Sequence, residues 1–506
     1  MTSRDVRLSW GVFALLLFSF AYFYQGGGWN ENSRFDLVRA IVDDHTIAID
    51  RYHENTGDKA SYGGHFYSDK APGLSLLAVP LYVVVRLFRG LFSSEHNFVV
   101  IASYVVTVLT VGIAGSAAGA LVYRAGRKLG ATPVGAVIAA AGYGLGTIAF
   151  PFSTMLFGHE LAAFLLFFAF VLAWECKEQP VRWKSVCVPL ALGVAVLVEL
   201  PTAPAALGLL AYHLGLRPTR RTWLVAALAA LPVLGLGVYL RAAFDSPLRV
   251  GYDLLADPAS RDEMRTRGVF GLTYPHIGVM AELLMGRFRG LLPYSPILLL
   301  AIPGFLSSLS RDVTADAAPE PVVAERRRAT KVAAGVCAYF LLFVSSYTWW
   351  QGGSSFGSRH LIPMLPFFAM PVALVASRRP GLGLVFLVPS VAIMLVVTSV
   401  QPKVNDRMQN PFWAGLLPAF VDGVIAANDV CPVIGRVGHA PHESFVRRGR
   451  YDAFNVGMAL GSPGPRSLAP LIAVWLTSAW ALGRAARKES DDAVAAAGSS
   501  ATLKAS

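Results

Sequence analysis

Charge is scarce in this chain. Only 15% of its 506 residues are Asp, Glu, Lys or Arg, against about 25% in an ordinary soluble domain, which argues against a soluble globular protein. Cysteine is sparse too. Cys176, Cys187, Cys337 and Cys431 show no metal-ligand spacing, and three of them lie in or beside apolar runs, so no disulfide framework is expected. The chain has no Gly-rich phosphate-binding loop ending in lysine, no soluble catalytic domain and no repeat evident by eye.

Long apolar runs fill the space that charge leaves. They fall at 8–25, 99–122, 133–151, 157–174, 186–199, 202–216, 222–242, 291–309, 332–349, 361–377, 381–400 and 467–483, with Glu199 and Arg241 only at run ends. Hydrocarbon offers the backbone no hydrogen-bond partners, so each run reads as a membrane helix. The first reads as a retained helix, since no small-residue cleavage site follows it. The fold class is therefore an all-α polytopic membrane protein. The net charge of +12 sits in short loops between the runs, which is the positive-inside signature and requires no nucleic-acid partner. Placing those basic clusters inside puts 26–72, 152–159, 243–290, 350–360 and 401–465 outside. One run resists: Leu74–Leu87 ends in Arg86 and Arg89, and if it spans, Arg124, Arg127 and Lys128 land outside against the rule. Either it lies along the interface or re-enters, or the rule is broken, so twelve or thirteen spans are expected.

The acids are concentrated. Eight of the 32 (Glu31, Asp36, Asp43, Asp44, Asp50, Glu54, Asp58 and Asp69) lie between Asn30 and Pro72. Asn32 or Ser33 can cap a short amphipathic helix there, with Phe35, Val38 and Ile41 or Val42 on its apolar face and Asp36, Arg39 and Asp43 on another. Such a helix is expected along the outer membrane surface.

The element Glu31-Asn32-Ser33-Arg34-Phe35 resembles the first extracytoplasmic loop of the GT-C superfamily of integral-membrane glycosyltransferases, which includes protein O-mannosyltransferases and lipid A aminoarabinose transferases. Asp69-Lys70-Ala71-Pro72 is similar to the acid-Lys-Pro-Pro element opening their next apolar run, with one Pro replaced by Ala. The resemblance covers the first 75 residues well and the remainder only by helix pattern. It implies a GT-C-like bundle that takes a sugar from a polyprenyl-phosphate donor. It also implies a carboxylate base at Glu31, where the family usually has Asp, with Asp36 one turn on as the other candidate.

The chemistry of a lipid-phosphate leaving group suits further residues. Its growing negative charge needs Lys, Arg or a divalent ion, and Lys70 and Arg34 are candidates. Arg287 and Arg289 precede a helix entrance and can clamp phosphate. The loop from Trp349 to His360 offers Trp350 and Gln351 to a sugar and Arg359 to phosphate. Asp69 and His159 are candidate substrate ligands and, with a divalent metal ion, candidate metal ligands. Glu199 reads as a helix-turn residue in preference to an acceptor-site acid.

The organisation that follows is a transmembrane catalytic module over 1–400, with its first extracytoplasmic loop at 26–72. An extracytoplasmic segment at 401–465, a last membrane helix at 466–488 and a disordered cytosolic tail at 489–506 complete it. The expected protein is a multi-pass glycosyltransferase of the bacterial inner membrane, its site facing the periplasm or exterior. It would pass the sugar to a hydroxyl of a glycan, lipid or protein acceptor. The rival is a transporter or flippase for a lipid-linked sugar. Uncharged helix midplanes speak against that, because transporters gather ionisable groups there.

Overall fold

The computed structural model describes residues 2–215, 219–310, 319–427, 433–434 and 452–505. Arg217, Cys431 and much of the 401–465 segment lie outside that set. Among the described residues nearly all regular structure is helical. Strands occur in two short antiparallel pairs: Phe23–Tyr24 with Phe454–Asn455, and a hairpin of Lys59–Tyr62 with His65–Ser68.

Helix α1 (Ser3–Ala21) carries Asp5 in its first turn, where a Thr2 capping box holds it. Asp5 accepts from Arg127 Nε at 2.7 Å and from Tyr123 at 2.9 Å, and Thr2 reaches Glu489 at 2.6 Å. One end of the bundle is thus built from the start of α1, the basic end of Glu95–Lys128 and the last helix. The opposite end gathers α2 (Trp29–Asp43), α3 (Gly73–Arg86) and the start of α4 (Glu95–Lys128), where Arg39 lies 3.8 Å from Glu95.

This arrangement settles the resistant run. Near their starts α2 and α3 touch through Ser75 Oγ on the Arg34 carbonyl, and near their ends through Tyr82 and Arg86 on Asp43. The two helices therefore lie side by side and parallel at one end of the molecule. At 14 residues α3 is roughly 21 Å long, short of the roughly 30 Å of hydrocarbon. It turns through Arg89–Leu91 into α4 without crossing, and Leu76, Val84 and Leu87 stay exposed along it. Helix α4 then makes the return, so Arg124, Arg127 and Lys128 join the other basic clusters.

Three further expectations are corrected. Helix α2 is not a half-solvated surface helix: Asn30 through Ala40 are all buried, because polar partners from the hairpin and later loops cover its charged face. It starts at Trp29 with Gly28 as a cap residue lacking any side-chain cap bond, so Asn32 and Ser33 are internal and bond Asn55 and Ser68 instead. By length and composition six helices can cross a membrane unaided, or seven counting the bent pair Arg359–Ala369 and Val372–Arg378, fewer than the twelve or thirteen apolar runs. Arg4, Asp5 and Arg7 lie within α1, while Pro133–Gly146, Pro296–Leu309 and Ala203–Leu214 end early. The last helix runs Ala469–Ala505, in keeping with the helix propensity of its alanines.

Candidate functional site

A cavity of about 430 Å³ opens at the end of the bundle that carries α2 and α3. Its polar wall brings together Arg34, Asp69, Lys70, His159, Glu199 and Arg359, with Tyr252, Tyr347 and His360 beside them. Much of the remainder is aliphatic and aromatic, from helix Thr222–Phe244 and the loops around it.

Close backbone approach builds this wall. A Cβ on Gly73 would lie 2.7 Å from the Leu197 carbonyl carbon, so only glycine lets the start of α3 touch the end of helix Arg182–Val198. That contact seats Asp69 and Lys70 near Glu199, in the turn after Val198. A Cβ on Gly251 would meet Asp69 Cα at 2.7 Å, and the close approach brings the Tyr252 ring to 5.4 Å from the Lys70 ammonium.

The charges pair off with one exception. Lys70 Nζ lies 2.9 Å from both Asp58 Oδ2 and Asp69 Oδ2. Burial would lower the pKa of Lys70, but these two carboxylates override it and hold the side chain as an ammonium. Arg34 donates to Glu199 Oε1 at 2.6 Å, to Asn30 at 3.0 Å and to the Ala71 carbonyl at 3.2 Å. His159 Nδ1 lies 3.0 Å from the same Glu199 oxygen, at ion-pair distance but without hydrogen-bond alignment. Arg359 is the exception. Its guanidinium rests 5.1 Å over the Phe157 ring, its Nε has no partner, and among the described residues no carboxylate lies within ion-pair reach. Asp69 is different again. Burial raises its pKa, Lys70 partly offsets this, and the carboxyl is pushed up to about 6. Its Oδ1 is buried without a hydrogen-bond partner.

Of the residues singled out in the sequence, the cavity assembles Arg34, Asp69, Lys70, His159 and Arg359. Glu31 and Asp36 are not in its wall. Glu31 Oε1 is buried 2.8 Å from Lys403 Nζ, which also donates to the carbonyls of Gln25, Gly26 and Gly27. Asp36 is fully buried against Asn55 at 3.2 Å and Arg39 at 3.8 Å, and burial pushes its carboxyl up to about 8. Arg289 spends its guanidinium on the carbonyls of Ser355 and Gly353, holding the glycine-rich loop from behind, while Arg287 is exposed. Trp350 lines a separate cavity of about 250 Å³ with Arg267 and His276, and Gln351 lies in neither wall.

The donor set does not fit a divalent ion. Among the described residues no three His, Cys, Asp or Glu side chains form a metal-holding group. Asp69 already faces an ammonium, and His159 shares Glu199 with a guanidinium. An added cation there meets positive charge on both sides.

Sequence reasoning underrated Glu199, the hub for Arg34 and His159, although an acid beside Pro201 at the end of an apolar run was a visible signal. His360 closed a loop already noticed. Tyr252, Tyr347 and Lys403 carried no local signal, since each acquires its place only through contacts distant in sequence.

The fold and cavity define a helical, multi-pass membrane protein with a charged pocket at one end. Solved structures that resemble it include two of ArnT from Cupriavidus metallidurans. The first, bound to undecaprenyl phosphate, has 15% sequence identity and a TM-score of 0.41, covering 76% of this chain and 63% of that one. The second, in the apo state, has 16% identity and a TM-score of 0.44, covering 84% and 71%. This chain thus spans less than two thirds of the first neighbour's length. No family model and no curated protein matches the sequence.

Proposed function

We propose that this protein is a membrane glycosyltransferase of GT-C type. In this reading it takes a sugar from a polyprenyl-phosphate donor and passes it to a hydroxyl of a glycan, lipid or protein acceptor, at the outer face of a bacterial inner membrane. The observation that carries the reading is Arg359: a guanidinium without a counter-ion among the described residues, in a largely apolar cavity at the end of a membrane bundle. Arg359 is half-buried, a charge left unpaired beside apolar walls is poorly solvated, and an anionic headgroup with an apolar tail relieves that. The guanidinium fork matches phosphate oxygens in two-point contact.

Lys70 supplies a second positive charge, held in place by Asp58 and Asp69. Together the two cations offset the charge that grows on the phosphate as the sugar leaves. Arg34, fully engaged with Glu199, Asn30 and Ala71, builds the wall and keeps Glu199 from competing for Arg359. His159, at the same Glu199 oxygen, borders the space for the sugar.

The reading is tested by reconstituting the purified protein in vesicles and supplying polyprenyl phosphates carrying labelled sugars with a panel of acceptors. Transfer or donor hydrolysis by the wild type, lost in Arg359→Ala, supports it. Counterflow of the labelled lipid with no product in any combination overturns it in favour of a transporter.

A further inference from the structure

We infer that Asp69 is the general base of this site, accepting the proton of the acceptor hydroxyl through Oδ1; the inference rests on the glycosyl-transfer reading. Five carboxylates lie close enough to be considered, and the geometry separates them. Asp58 pairs with Lys70 at 2.9 Å from outside the cavity wall. Glu31 is neutralised by Lys403 at 2.8 Å and lies outside the cavity wall. Asp36 also lies outside it, behind Asn55. Glu199 borders the cavity, but its Oε1 is taken by Arg34 at 2.6 Å with His159 at 3.0 Å. A carboxylate gripped by a guanidinium is a weak base.

Asp69 alone combines placement and freedom. It borders the cavity and is 4% exposed, and one of its oxygens has no partner. A buried acceptor without a donor calls for a partner from outside the chain, a water or a ligand. An acceptor hydroxyl supplies the missing proton donor. Its other oxygen holds Lys70 at 2.9 Å, so the group that takes the proton and the group that faces the phosphate share one rigid unit.

The step balances as a displacement. An oxygen lone pair of the acceptor forms the new bond to the anomeric carbon as the carbon–oxygen bond to phosphate breaks. The electron pair of that bond stays on the lipid phosphate, which faces Lys70 and Arg359. The hydroxyl proton moves to Asp69 Oδ1 and is later released to solvent.

The charged and titratable groups around Asp69 are Lys70, Asp58, Arg34, Tyr239, Tyr252 and Tyr347. With the carboxyl pushed up to about 6, the base is ionised above that pH and protonated below it. The rate therefore falls as pH drops through about 6.

The test compares Asp69→Asn, Asp69→Glu and Asp58→Asn in full-length protein in vesicles, measuring kcat and donor KM from pH 5 to 8. Asp69→Asn should lose on the order of 100-fold in kcat, as for removal of a general base, keep its donor KM, and lose the acidic limb of the profile. Asp69→Glu should restore part of the rate with that limb shifted. Asp58→Asn, which loosens only Lys70, should raise donor KM and keep the acidic limb of the profile. Matching changes in kcat and donor KM for Asp69→Asn and Asp58→Asn, with the acidic limb kept in both, would reduce Asp69 to a support for Lys70. Full turnover in Asp69→Asn overturns the inference and leaves the transfer reading standing. A wild type that neither transfers nor hydrolyses any donor overturns the reading itself.

Discussion

Glu31 and Lys403 form a buried ion pair 2.8 Å long across 372 residues of sequence. Each is about 4% exposed, and Lys403 also takes up three carbonyls of the turn that follows α1. The pair locks the start of α2 to the segment after helix Pro380–Val400. Removing one partner leaves a buried charge alone, which costs about 3–5 kcal/mol. Lys403→Met and Glu31→Gln should each lower the thermal midpoint in detergent sharply, and the double variant should lose less than the sum of the two. Full additivity would show that the pair does not hold these segments together.

If α3 lies along the interface, both of its flanks face the same side. In a background lacking the native cysteines, Gly64→Cys before α3 and Gly90→Cys after it should both react with a membrane-impermeant maleimide added outside. Both positions are exposed and offer open space to a side chain, Gly64 with some backbone strain at its φ of +85°. Labelling of Gly64→Cys with protection of Gly90→Cys would mean that α3 crosses.

Arg289 is buried behind the loop that ends in Arg359, with its guanidinium on the Gly353 and Ser355 carbonyls. Burial lowers its pKa to about 9, yet it remains charged at neutral pH. Lys cannot span two carbonyls with a planar fork. Arg289→Lys should therefore weaken lipid-phosphate binding about tenfold, as expected when one charged hydrogen bond of about 1.5–3 kcal/mol is lost. It should also raise proteolytic cutting in 351–358. Unchanged binding together with unchanged proteolysis would separate Arg289 from the positioning of Arg359.

Asp36 links stability to pH. Burial pushes its folded-state pKa from 3.8 up to about 8, so the folded form prefers the proton. That preference is fully satisfied below the unfolded value and is lost as pH rises through the folded one. The midpoint of the wild type should therefore fall between about pH 4 and pH 8. Asp36→Asn keeps an acceptor for Asn55 and should flatten that dependence. An equal slope in the variant would place the titration elsewhere.

The first loop was the most legible part of the molecule. An acid-rich stretch in a charge-poor chain marked the end of the bundle where the cavity lies, and Asp69-Lys70 declared itself as a cation–carboxylate element before an apolar helix. Arg359 was readable for the same reason, as a cation in a glycine- and tryptophan-rich loop. What stayed hidden depends on partners far along the chain. Glu199 looks like a turn residue until Arg34 and His159 close on it, and Glu31 looks free until Lys403 arrives from beyond residue 400. Apolar runs also outnumber the helices long and apolar enough to cross unaided, and hydropathy cannot distinguish a crossing helix from one such as α3, which lies beside α2.

The most direct measurement is the affinity of the full-length protein for a polyprenyl phosphate, with Arg359→Ala and Arg359→Lys beside the wild type. The lipid phosphate should bind the wild type and lose on the order of 10–100-fold in Arg359→Ala, with part regained in Arg359→Lys. A neutral polyprenol of the same length should bind wild type and variant alike. If the phosphate and the alcohol bind the wild type equally, or if Arg359→Ala keeps full affinity for the phosphate, the cavity is not a lipid-phosphate site.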